Sequence, residues 1–345
     1  MKYIKTIIVI VFFLFCTLCE AAKIKYGPVQ ESFGAGGRDY HHKSFTYWES
    51  GIFPHERYLV FEPAEPTPSK AGVVLIIHDL MNPLPNYYMG QIRHLCRKGW
   101  IVLFPLYQGT DQPTEHYVFN IIRSVKDFLK QSFEKNTIQI DSTKFGIFGH
   151  GSGAVLAANV AATYEYFGLP IPKVLVITMP DRTYFKLFNL RGISRETRMA
   201  VINGDKLPLE DAQTAVSIFY TANRVKTVNK VFITVQSDYY GQPPLIADRF
   251  SALSPEYPPK ERVVVNRRNE YIHTYKSKKF APYVKADDIE NFDWKVDFRV
   301  FDLLAMATFD LNTNLTNIKK SEEFRFMGYW SDGKKVKPLI VTDRP

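Results

Sequence analysis

The sequence predicts an α/β protein built on a doubly wound, mostly parallel sheet. Continuous apolar runs at 73–77, 100–104, 145–148, 174–179, 198–203 and 230–236 suit strands buried on both faces. Segments with helical spacing, at 87–98, 118–132, 154–162 and 209–223, lie between most of them. No internal repeat and no long linker divides the 345 residues, a length able to bury one large core.

The first 21 residues read as an export signal. Lys2 and Lys5 form the positive end, and Ile7 to Leu18 is an apolar run shorter than the ~20 residues of a membrane-spanning helix. Cys19-Glu20-Ala21 offers small residues at a cleavage site. The expectation is a mature chain over 22–345, delivered to a periplasm or to the outside of the cell. A retained anchor is the competing reading. Cys16 and Cys19 would leave with the signal, and Cys96, beside Leu95 in a helical stretch, reads as a packed small residue. An internal disulfide is then excluded.

Apolar residues make up 46% and charged residues 23% of the chain, which excludes general disorder. The net charge is +9. Removing Lys2, Lys5 and Glu20 leaves 42 basic and 34 acidic residues, or +8, enough for weak attraction to anionic surfaces. The basic clusters at Arg267-Arg268, Lys276–Lys279 and Lys334–Lys337 are short and accompany no nucleic-acid recognition module.

Beyond the signal, residues 23–56 show no clear period, although Ser44–Glu49 and Arg57–Glu62 alternate as two early strands. Pro63 to Lys70 is a turn. Val73–Ile77 is a buried strand ending at His78-Asp79-Leu80-Met81, and Gly99 closes the helix that follows. The stretch 180–196 lacks a period and reads as a small lid-like insertion in a single domain. The strand over Arg198–Asn203 ends in Gly204-Asp205, and that over Lys230–Gln236 in Ser237-Asp238-Tyr239-Tyr240-Gly241. Phe292–Phe309 is a long amphipathic helix, with Phe298, Phe301, Leu304 and Ala305 on one side.

The segment Lys144–Tyr164 organises the rest. Phe145–Phe148 is a buried strand, Gly149-His150-Gly151-Ser152-Gly153 a tight turn, and Ala154–Ala162 a helix of small residues able to lie close on a sheet. This is the order of a nucleophile elbow, G-x-S-x-G, but its central position holds Gly151 and the serine comes one place late, at Ser152.

With that segment, Ser237-Asp238-x-x-Gly241-x-Pro243 and Asp293-Trp294, the chain resembles exported α/β-hydrolases of the lipase, esterase and platelet-activating-factor-acetylhydrolase kind. The resemblance runs from Val73 to the Met327–Gly333 segment. It implies a nucleophile at Gly151, an acid at Asp205, a histidine at Tyr240, and oxyanion donors from Ser152 and from the loop at Asp79-Leu80. Glycine carries no nucleophile, tyrosine is a poor proton shuttle at neutral pH, and Asp79 would oppose a developing oxyanion.

The implied function is therefore an exported relative of carboxylic-ester hydrolases with a degenerate triad, keeping its cleft to bind a lipid, an ester-like molecule or a partner protein. The alternative is an active serine esterase in which Ser152 attacks, His273 is the base, and Asp238 or Asp205 orients it. A third reading is a structural or adhesive surface protein. Ser152 also reads as a small first-turn residue whose hydroxyl points away from the site, Asp205 as a helix cap or turn residue, and His273 as a surface histidine. His150 is expected to pack beneath the nucleophile position. No cofactor and no metal are implied, since the adjacent His41-His42 lacks a ligand set at zinc spacing.

Overall fold

In a computed structural model of the protein, residues 24–51, 53–108, 113–135, 138–181, 185–255, 291–310 and 313–345 are described. The expected export signal and His273 lie outside them.

The apolar runs pair into one nine-stranded sheet of order β1-β2-β4-β3-β5-β6-β7-β8-β9. Its strands are β1 (Ser44–Ser50), β2 (Tyr58–Ala64), β3 (Lys70–Ile77), β4 (Ile101–Pro105), β5 (Gln139–His150), β6 (Pro172–Thr178), β7 (Arg198–Gly204), β8 (Lys230–Val235) and β9 (Ile340–Thr342). From β4 through β8 every neighbouring pair is parallel. β1 and β2 at one edge, and β9 at the other, run antiparallel to their neighbours.

Alternation along the strands sends side chains to two layers. Val74, Ile76, Phe148 and Val176 pack with α1 (Met89–Arg97) and with Phe301 and Leu304 of the long C-terminal helix. Val73, Leu75, Ile147 and Ile177 pack with α2 (Tyr117–Lys135), α3 (Ser152–Phe167) and α4 (Leu209–Thr221). Helices thus cover both faces, and the fold is a doubly wound sheet of the α/β-hydrolase type. Cys96 is buried in the first layer as a packed residue.

Three elements depart from the sequence expectation. β5 begins six residues before Phe145, because Gln139 and Ile140 pair with Lys70 and Ala71 although their flanking side chains stay partly exposed. β9 is short and partly exposed, so its sequence carries little strand signal. The amphipathic helix opens with a π-helical turn, Asp293–Phe298, before α5 (Arg299–Phe309). Within 180–196, Leu190 and Ile193 enter the core, while the Asn159 amide holds the Lys186 carbonyl and the Phe188 N–H. This loop is tied to α3 along residues 186–193. Two short helices, α6 (Leu315–Lys320) and α7 (Glu322–Arg325), precede the last strand.

The π-helical turn buries Asp297, and that burial pushes its carboxyl up to about 7. Unfolded aspartate titrates near ~3.9, so from about pH 4 to about pH 7 the folded chain holds a proton that the unfolded chain has released. Stability therefore falls with rising pH across that window and levels above it, by about 4 kcal/mol in all. Asp297→Asn is expected to remove this slope, raising Tm at pH 8 relative to the parent while leaving it similar at pH 4, as thermal melts at the two pH values would show.

Candidate functional site

β5 ends at His150, and the chain turns through Gly151 at φ 58° and ψ −126° into α3. Only glycine takes that backbone without strain. Gly149 and Gly153 bring helix and sheet together, since a methyl group on Gly149 would overlap Ala157 and one on Gly153 the His78 carbonyl. The geometry is that of a nucleophile elbow, and its centre carries no side chain.

The space there belongs to Asp79, on the loop after β3. A Cβ on Gly151 would lie 2.6 Å from Asp79 Oδ1. That oxygen accepts the Ser152 backbone N–H at 3.1 Å, and Oδ2 accepts the Met81 N–H at 3.3 Å. One donor comes from the residue after the elbow and the other from the third-strand loop, the two sources of an oxyanion hole. Here they hold the chain's own carboxylate. The loop donor is Met81 rather than the expected Leu80, whose carbonyl accepts from Gln108.

Two further groups complete the cluster. Arg249 Nη2 lies 2.8 Å from Asp79 Oδ1 and 2.6 Å from Asp181 Oδ2. The Ser152 hydroxyl is within hydrogen-bond reach of the same two oxygens, at 3.1 and 2.9 Å. This corrects the expectation that it points away from the site: Ser152 opens α3 and is fully enclosed, so its hydroxyl turns to the carboxylates that neighbour it. Burial pushes the Asp79 carboxyl up, but the Arg249 charge and the two Ser152 donors oppose it, and the group stands below the ordinary aspartate value. Asp79 is thus an anion at neutral pH.

His150 packs beneath the elbow as expected. Its Nδ1 is 2.9 Å from the Tyr88 hydroxyl and its Nε2 2.6 Å from the Arg249 carbonyl. Burial lowers its pKa and leaves the ring neutral. The Tyr88 hydroxyl also accepts the Asp79 N–H at 2.8 Å, which fixes the loop carrying the carboxylate. Both nitrogens of His150 are therefore committed to structure.

Asp205, Asp238 and Tyr240 bond to partners outside this cluster. Asp205 is exposed in the turn after β7 and accepts the Ser237 hydroxyl, as its turn reading implied. Asp238 is buried and accepts the Tyr240 N–H, the Trp330 indole and the Lys337 N–H, so it braces the C-terminal segment. Tyr240 does sit on the loop after β8, but its hydroxyl is 2.6 Å from Asp332 and 2.7 Å from Lys25 Nζ. The Lys25 and Lys334 ammonium groups stand 3.9 and 3.5 Å from the ring centroid. His42 bonds the Pro66 carbonyl. Among the described residues no group of three ligand side chains could hold a metal.

Sequence reasoning missed Asp181, Arg249 and Tyr88. Asp181 follows strand β6, where a site residue is expected of this fold, but Arg249 stands in a stretch without periodicity and carries no local signal.

No protein-family model matches the chain, and no curated protein matches it in sequence. Among solved structures it is similar to an esterase of the fungus Rhizomucor miehei, at 12% identity over 57% of this chain and 76% of that one, with a TM-score of 0.45.

Because Arg249 pairs with both enclosed carboxyl groups, Arg249→Met would leave the buried Asp79 charge without its cation. A loss of about 3–5 kcal/mol is expected from urea unfolding at pH 7. Combining it with Asp79→Asn should recover part of that loss.

Proposed function

We propose that the protein is an exported relative of carboxylic-ester hydrolases whose triad has decayed and whose cleft serves binding, of a lipid, an ester-like molecule or a partner protein, in place of turnover. The observation that carries this reading is the Asp79 carboxylate, held on the elbow and loop N–H groups where an acyl oxyanion would develop. A fixed anion there repels the charge on which acyl transfer depends. Gly151 offers no nucleophile, and Tyr240 is engaged with Lys25 and Asp332. In serine hydrolases, loss of triad members lowers turnover by about 10⁴- to 10⁶-fold.

In the alternative of an active Ser152, the base is His273, which lies outside the described residues, with Asp238 or Asp205 orienting it, while the side chains that hold the Ser152 hydroxyl are carboxyl groups. Asp79 is a weaker base than an ordinary carboxylate, since its pKa is lowered. Asp238 is sequestered by Trp330 and Lys337, and Asp205 is occupied by Ser237.

Incubation of the mature protein with p-nitrophenyl acetate and a fluorophosphonate probe is expected to give neither turnover nor covalent label. Labelling that disappears in Ser152→Ala would overturn the reading. Gly151→Ser combined with Tyr240→His is also expected to stay silent, because the new Cβ meets Asp79. Ester hydrolysis by that pair would show that the carboxylate does not close the site.

A further inference from the structure

Residues 24–33 form an extended strap bound to the C-terminal segment. Lys25 reaches inward to Tyr240 and Asp332, and its carbonyl accepts the Gln242 N–H. Tyr26 exchanges backbone bonds with Ser331, through the Ser331 hydroxyl and N–H. Gln30 turns to the Gly36 carbonyl and Glu31 to Lys295.

Ile24, Tyr26, Val29 and Phe33 are all exposed, Val29 at 79% and Phe33 at 81%, beside the exposed Glu31 and Ser32. Tyr329, on the adjoining loop, adds a further exposed ring. Such a row of apolar side chains marks a covered surface.

We infer that this face rests on an anionic lipid bilayer. Two observations select that occupant. Lys334 and Lys335 are exposed beside the strap, where the Tyr329–Lys335 bridge places them, and the chain as a whole is basic. Tyr26 and Tyr329 are of the residue type that collects at the headgroup level. The strap shares no residue with the elbow cluster, so the inference is independent of the reading of that cluster.

The chain from Ala22 onward is suitable for the test, because every element of the described fold lies beyond Lys43. It would be sedimented with phosphatidylcholine vesicles and with vesicles containing added phosphatidylglycerol. Binding is expected to the second kind and to weaken as salt is raised. Val29→Ser with Phe33→Ser should weaken it about tenfold while leaving the thermal melt unchanged. Absence of binding to anionic vesicles would overturn the inference, as would binding indifferent to the double substitution. So would a dimer in light scattering that the double substitution disperses, since a second copy of the chain would then be the occupant.

Discussion

The site depends on one buried ion cluster. Asp79 and Asp181 are removed from water, and buried carboxyl groups need partners that replace their lost hydration. Arg249 lies against both, while Ser152 and the Met81 N–H supply directed donors. Tyr88 then ties Asp79 to His150, and His150 ties back to the Arg249 carbonyl. The loop after β3, the end of β5, the loop after β6 and the segment at Arg249 are joined by this closed circuit. Its members share partners, so the removal of one is felt by all.

The same cluster bears on the proposed loss of turnover. An elbow places a strained residue where a helix N-terminus and nearby N–H groups favour negative charge. In this chain the favourable potential remains, but an internal carboxylate uses it. Glycine at 151 and aspartate at 79 are therefore coupled: the missing side chain provides the space, and the carboxylate fills both the space and the donors. This coupling explains why an anion is tolerated at a point buried within the sheet's carboxyl edge.

Around the cluster, the regions that bear no part in it are held by different means. Tyr240 and Asp238 join the loop after β8 to the strap and to the C-terminal segment through Asp332, Trp330, Lys337 and Lys25. Those contacts bring residues near both chain ends onto one surface, far along the chain from the elbow. The Tyr240 ring, with its two ammonium neighbours, is a structural pin on the loop after β8.

The doubly wound sheet, its buried strands and the elbow were legible in sequence, because each is a local pattern: continuous aliphatic runs, helical spacing, and glycines where a chain must turn sharply. The absent nucleophile at Gly151 was legible for the same reason. What occupies the space beside it was not, since Asp79, Asp181 and Arg249 lie 72, 30 and 98 residues from Gly151 and meet only when the crossovers between β3 and β8 are packed. The direction of the Ser152 hydroxyl likewise depended on those partners, and the π-helical turn and β9 on packing against elements already formed. Local spacing determines which elements form and which residue stands at each sharp turn, whereas charge pairing between distant segments is a tertiary property: a buried anion takes its meaning from whichever cation the completed fold sets beside it.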